Sequence, residues 1–374
     1  MERKQSSLEN LVSKMFGNVF KNKKVLITGD TGFKGSWLSI WVKYLGADVY
    51  GYALPPKTER DNFVITNLEN IIHHLDGDIR DFDKLYSYFK EVRPEFAFHL
   101  AAQPLVIDSY HDPKYTFETN LNGTVNFFEA VRLTDSVKVA INVTSDKCYQ
   151  NNEWVWGYRE NDPMGGKDPY SASKGASELI THSYINSFFH KEGTANIASA
   201  RAGNVIGGGD WAEYRIVPDF FKSIEKNEAL QLRSPESTRP WQHVLEPLSG
   251  YLDLAMKLST VGKEFSGGWN FGPIGTTNQS VRTLVERIIE YSGKGKYEAP
   301  KFDEKYHEAG LLNLDISKAM YFLNWEPILD FQKTVEFTVD GYLINSNNDI
   351  YQARISQIEE FYSLAKQKYI DWTN

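Results

Sequence analysis

The chain has 374 residues, 41% hydrophobic and 24% charged, with a formal net charge of -8. That composition is ordinary for globular proteins, enough for one large domain or two smaller ones, and its acidity excludes a protein that holds nucleic acid through a basic face. One cysteine, Cys148, excludes an intrachain disulfide and suits a reducing cytoplasm. No run approaches the ~20 apolar residues of a membrane span, and the first 22 residues lack a signal-peptide core, so the expectation is a cytoplasmic protein with no membrane partner.

In chain order, residues 1–22 read as an extension, a short helix or tail packed outside the core. Lys24–Thr28 is a short run rich in β-branched residues, the pattern of a strand buried on both faces. After it Leu38, Trp41, Val42 and Leu45 recur at helical spacing. Further strands are predicted at 48–54, 95–100 and 137–143, with helices at 81–91 and 121–133, a long helix from about Tyr170, and a strand at 195–200. Strand alternating with helix predicts an α/β fold, a Rossmann-type doubly wound parallel sheet. Beyond Arg201 the pattern loosens into Gly-, Pro- and Trp-rich segments. The expected division is a first domain over 23–203 and a smaller lobe, mainly 204–374, with a soft boundary that the chain is free to cross back over.

The turn Gly29-Asp30-Thr31-Gly32-Phe33-Lys34-Gly35 lies between the first strand and the first helix. Gly29, Gly32 and Gly35 permit a tight turn and close approach of a diphosphate, which the N–H groups of the helix start then receive. The spacing is G-x-x-G-x-x-G, and its place between strand and helix favours dinucleotide binding over a bare turn. No carboxylate closes the next strand, which ends Gly51-Tyr52-Ala53-Leu54. Lys57 and Arg60 follow it, either as partners for a 2′-phosphate or as solvated loop charges, so this site leaves NAD and NADP open.

Tyr170 and Lys174 stand four apart at a helix start and so share one face. An ammonium there favours the phenolate and is expected to lower the tyrosine from its usual ~10. Such a tyrosine takes the proton of a sugar hydroxyl while hydride leaves the same carbon. Together Thr28 to Gly35, Leu100-Ala101-Ala102, Tyr170 with Lys174, Arg201-Ala202-Gly203-Asn204, Arg239-Pro240-Trp241-Gln242-His243 and Trp325-Glu326-Pro327 resemble the extended short-chain dehydrogenase/reductase family (the NAD-dependent epimerases and dehydratases). The wording Gly32 to Leu38, Thr144 to Tyr149 and Trp154 to Asn161 is similar to its branch acting on CDP-glucose.

The resemblance implies NAD as cofactor and CDP-glucose as substrate. It implies a lyase that oxidises the sugar at carbon 4, eliminates water across carbons 5 and 6, and reduces carbon 6, giving CDP-4-keto-6-deoxyglucose. It further implies a homodimer, serving deoxysugars of a surface polysaccharide such as the O-antigen of lipopolysaccharide. By position, Ser145 then binds the 4-oxygen with Thr144 as helper, and Asp146 protonates the departing 6-hydroxyl, which requires a raised pKa. Lys147 stands where relatives with other nucleotides carry a glutamate base. It is either a base with a lowered pKa or a cation beside the developing enolate.

Asp78 and Ile79 match the adenine position, with a helix N-cap as the competing reading for Asp78 and Asp81 the better cap. Asn120 reads either as orienting backbone near the site or as a plain buried amide, and Gln103, just past Ala101-Ala102, is a candidate to reach the sugar. Asn204 and Arg239 match residues that hold the substrate diphosphate, and His307 stands where an arginine is usual. His73, His74, His99 and His111 form no metal-ligand set, so no metal is expected. Trp154 and Trp156 read as loop packing and Cys148 as buried filler. The competing functions are a 4-epimerase on the same scaffold, which has no need of Asp146, and a non-catalytic sugar-nucleotide binder.

Overall fold

Apolar strand residues that alternate between two covered faces explain the near-continuous hydrophobic runs of the first half of the chain. In the computed structural model, which describes residues 15–274, 278–300, 311–344 and 349–373, β1 (Lys24–Thr28) turns Val25 and Ile27 to one face and Leu26 to the other. In chain order follow α1 (Phe33–Tyr44), β2 (Asp48–Ala53), β3 (His73–Asp76), α2 (Phe82–Val92), β4 (Phe96–His99), α3 (Gly123–Arg132), β5 (Val139–Val143), α4 (Pro169–Ser187) and β6 (Asn196–Arg201). Then come α5 (Ile216–Glu225), α6 (Leu245–Thr260), β7 (Gly267–Asn270), α7 (Val281–Ser292), α8 (Phe331–Tyr342) and α9 (Ile350–Gln367).

The seven strands form one parallel sheet in the order β7-β6-β5-β4-β1-β2-β3. Side chains of α1, α6 and α9 cover one face; those of α2, α3 and α4 cover the other. A third apolar cluster joins α5, α7 and α8 through Phe220, Leu284, Ile288 and Val335, and this is the core of the later lobe. Among the described residues no helix is long and apolar enough to cross a membrane.

Two strands fall outside the sequence pattern. β3 reads His-His-Leu-Asp and lies at the sheet edge with both ends exposed, so no apolar signal marks it. β7 carries two glycines in four residues, because a Cβ on Gly268 would lie 2.3 Å from the Arg201 guanidinium.

The expectation that 1–22 packs outside the core is corrected for the described part: Met15, Phe16 and Phe20 are at most 1% exposed. Phe16 stacks on Trp372 at 4.8 Å and meets Trp41 edge-on, so the two ends of the described chain close over α1 together. That contact joins residues far apart in sequence, which no local periodicity reveals. Residues 1–14 lie outside the described residues.

Candidate active site

The strand order reverses between β1 and β4, and a cleft opens there over the carboxyl ends of the strands, where open α/β sheets bind ligands. Gly29 has φ +79° and packs so closely that a Cβ would lie 2.6 Å from Ala101 N; one on Gly35 would lie 2.0 Å from Gly29 O. α1 starts at Phe33 with Gly32 as N-cap and no side-chain cap, leaving its first N–H groups toward the cleft. This close-packed turn, ending in free helical donors, fits the diphosphate of a dinucleotide. Leu100, Ala101 and Ala102 are half-buried across from it, and Ala101 N donates to Thr28 Oγ1 at 3.4 Å.

Beneath the turn lies a pair that no sequence signal announced. Asp30 is fully buried under β2, and a Cβ on Gly51 would lie 2.0 Å from its carboxylate. His74 of β3 bonds Asp30 at 2.7 Å, while burial pushes the Asp30 carboxyl above its ordinary value. Arg60 is engaged elsewhere, held by both carboxylate oxygens of Glu225 at 2.5 and 2.9 Å and lying 3.4 Å over the Trp211 ring. Of the two cations left open for a 2′-phosphate, this one is therefore neutralised in place.

Ile79 is buried against Gly123, and the Asp78 carboxylate is forked by Arg80, which holds it below its ordinary value. Asp81 caps α2 by accepting from Lys84 N at 3.1 Å. Asn120 is 2% exposed; its side-chain oxygen accepts from Gln103 N and its side-chain nitrogen donates to Gln103 O and Ser173 Oγ. The side-chain amide of Gln103 bonds Leu105 and Thr116 and so shapes that loop.

β5 delivers Thr144, Ser145 and Asp146 to the cleft, all buried, with Lys147 half-buried in the following turn. Ser145 Oγ donates to Asp146 Oδ1 at 2.8 Å and also bonds the Tyr170 hydroxyl. The Asp146 carboxylate presses on Gly203, where a Cβ would lie 1.9 Å away. With Gly203, Pro240, Gln242, Gly272, Pro273, Asn313 and Leu314 it lines a small pocket. The Lys147 ammonium has no hydrogen-bond or ion-pair partner among the described residues.

Asp168 caps α4 through Ser171 N at 2.9 Å and Pro169 opens its first turn, which fixes where Tyr170 begins. The expected lowering of Tyr170 does not appear. Burial pushes it up to about 12, against the bond from Ser145 and the charge of Arg215, because desolvating a phenolate outweighs both. Burial also pushes Lys174 down to about 8, with Glu178 pulling the other way, and Lys34 down to about 8, with Asp146 opposing. His99, bonded to Thr28 Oγ1 at 2.7 Å, is held neutral by burial and by Lys174, down to about 3.

Sequence reasoning missed Arg215, which bonds buried Asp210 at 2.8 Å and faces Tyr170, because nothing marked the loop before α5. Asn204 takes a left-handed φ of +52° and Arg239 is half-buried on the short strand Thr238–Arg239. His307 lies outside the described residues. No group of three or more His, Cys, Asp or Glu side chains gathers as a metal site among the described residues.

The family model described as GDP-mannose 4,6 dehydratase matches residues 26–338. A CDP-glucose 4,6-dehydratase of Salmonella typhimurium is 49% identical over 314 residues, 83% of this chain and 88% of the relative. A UDP-glucose 4-epimerase of Thermus thermophilus, solved with NAD, superposes with a TM-score of 0.73 at 25% identity over 85% of this chain and 98% of its own. A dTDP-glucose 4,6-dehydratase of Streptomyces venezuelae shares the fold at a TM-score of 0.73 and 22% identity, covering 86% and 97%. The Gly-rich turn, the serine between aspartate and tyrosine, and these matches lead to one conclusion: the chain belongs to the GDP-mannose 4,6-dehydratase family, within the extended short-chain dehydrogenases/reductases.

Proposed function

We propose that this chain is an NAD-dependent lyase that converts CDP-glucose to CDP-4-keto-6-deoxyglucose and water. The observation that carries the reading is Asp146, a buried acid bonded to the same serine hydroxyl that meets Tyr170. A 4-epimerase needs the serine and the tyrosine but has no use for an acid beside them. The near relative's name supports cytidine as the nucleotide.

Gly29, Gly32 and Gly35, with Phe33, Lys34 and the first N–H groups of α1, hold the NAD diphosphate. Asp78 and Ile79 border the adenine, and Leu100 to Ala102, Asn120 and Lys174 the nicotinamide half. NAD held there would supply the acceptor for the carbon-4 hydride and the donor for carbon 6. Tyr170, relayed through Ser145, accepts the 4-hydroxyl proton as the ketone forms. That ketone acidifies carbon 5, whose proton passes either to Lys147 as base, or to water while the Lys147 ammonium neutralises the enolate. Asp146 gives its proton to the 6-hydroxyl, which departs as water. A proton returned to carbon 5 completes the product. Arg239, Asn204 and Arg215 suit the substrate diphosphate, guanidinium being matched to paired phosphate oxygens.

Incubation with NAD and CDP-glucose tests the reading: a product lighter by one water, with the alkaline absorbance of a 4-keto sugar, is expected. An isomer of unchanged mass would mean epimerisation, and binding without turnover a sensor. Faster turnover of the UDP-, dTDP- or GDP-sugar would remove the cytidine assignment. The same reading places the enzyme in the cytoplasm as a homodimer, which light scattering checks, at an early step toward deoxysugars of a surface polysaccharide.

A further inference from the structure

Three residues of α4 stand on one stripe, four apart: Tyr170, Lys174 and Glu178. The first two belong to the catalytic site as read above; the third has no role in that chemistry. Glu178 is 4% exposed and its two oxygens are fully engaged. Oε1 accepts from Thr144 Oγ1, while Oε2 accepts from Ser199 Oγ at 2.6 Å and from Arg201 Nη2 at 2.7 Å. Arg201, itself 4% exposed, reaches on to Tyr149 Oη at 2.6 Å and Glu160 O at 3.0 Å. Thr144 is the residue before Ser145.

We propose that Glu178 is a positioning residue: its buried carboxylate fastens the end of β5, through Thr144, to α4, and so sets Ser145 and Asp146 against Tyr170 and Lys174. The inference rests on the catalytic reading of those four residues. A pair that served stability alone gives little reason for its own presence, since a buried ion pair is often replaceable by apolar residues at no loss. Nor does such a pair need a bond to the residue beside the reacting serine. Thr144 gives its proton to Glu178, which turns it from a substrate donor into part of the fastening.

The same carboxylate acts on Lys174 one helical turn away. Burial pushes that lysine down and Glu178 pulls it up, leaving it at about 8. Burial pushes Glu178 itself up, but Arg201 and the hydroxyls of Ser199 and Thr144 outweigh burial and hold it below its ordinary value. Removing the charge therefore has two consequences, a looser site and a lysine that loses its proton at lower pH.

The test compares wild type, Glu178→Gln and Thr144→Val, each with NAD and CDP-glucose, by steady-state kinetics per folded enzyme across pH. Thr144→Val leaves the Glu178–Arg201 pair whole and so decides alone if Glu178→Gln does not fold. Expected for Glu178→Gln is a fall in kcat of about 10-fold or more with KM within about 2-fold, since small misplacement of reacting groups costs rate more than binding. Its alkaline limb should move to lower pH. Thr144→Val should lose kcat several-fold with its limb unmoved. Wild-type kcat in the folded variants, with only melting temperature reduced, overturns the inference, as does a rise in KM alone. A wild type that leaves CDP-glucose unchanged overturns the functional reading itself, and this inference with it.

Discussion

Ser145 stands between Asp146, at 2.8 Å, and the Tyr170 hydroxyl, and on the proposed reading, with acid on one side and base on the other, the elimination is separable from the oxidation. Asp146→Asn keeps the shape and removes the acid. We expect kcat for dehydration to fall about 10²–10⁴-fold, the usual worth of a placed proton donor. Oxidation at carbon 4 should persist in that variant, seen as a standing near-ultraviolet band of reduced nicotinamide; full dehydratase activity would remove the assignment. The pH dependence follows from the lysines. Burial holds Lys174 and Lys34 at about 8, so both are ammonium below that pH and neutral above it. On the proposed reading the ammonium forms are the useful ones, Lys174 near the Tyr170 hydroxyl and Lys34 near the diphosphate. Hence kcat/KM, which reports the free enzyme, should be level up to near pH 8 and fall above it more steeply than one proton allows; Lys34→Gln should reduce the fall to a single proton. At this scale the sequence marked Tyr170 with Lys174 and the three glycines by their spacing, and Ser145 with Asp146 by likeness to a family, and the structure brings these segments to the carboxyl ends of the strands. Arg215, Glu178 and the Asp30–His74 pair were not, because each is defined by a partner on another element. The tyrosine's direction was misjudged for a related reason: four-residue spacing shows the lysine, but desolvation depends on everything that covers the ring.

Among the elements, the strand β6 and the turn after it act as a wall for the acid. A Cβ on Gly203 would stand 1.9 Å from Asp146 Oδ2, so Gly203→Ala must move either the backbone or the carboxyl. A fall in kcat of about 10²-fold is expected, a shift of about 1 Å being enough for that. Melting temperature should change little, since the side chain displaced lies at the edge of a pocket; unchanged kcat would contradict the placement of Asp146. The opposite split is expected at the far side of the sheet. Trp372 is fully buried against Phe16, Trp41 and Phe361, beyond the family-matched residues 26–338. Trp372→Ala should cost about 3–5 kcal/mol in denaturant unfolding while kcat/KM at low temperature stays near wild type. The elements with apolar periodicity, β1, β2, β4, β5, β6 and the helices between them, were readable within a few residues. β3 and β7 escaped because an exposed edge and a glycine-rich approach to Arg201 remove the apolar pattern on which such reading depends.

For the molecule as a whole, the parallel sheet with helices on both faces followed from alternation alone, and the strand order then fixed where ligands go. β7 adds itself to the sheet from a stretch assigned by sequence to the later lobe, while α5, α7 and α8 keep a core of their own. The nucleotide was legible only through likeness to relatives, since specificity for a base is written in loops rather than in periodicity. The central claim is that one enzyme carries the hydride of carbon 4 to carbon 6 of the same sugar while Asp146 expels water. CDP-glucose deuterated at carbon 4, incubated with enzyme and NAD, tests it directly by mass and by proton resonance. The account predicts a product lighter by one water that keeps its deuterium, now at carbon 6. A product of unchanged mass, or one whose deuterium has passed to the bulk nicotinamide pool, would contradict it.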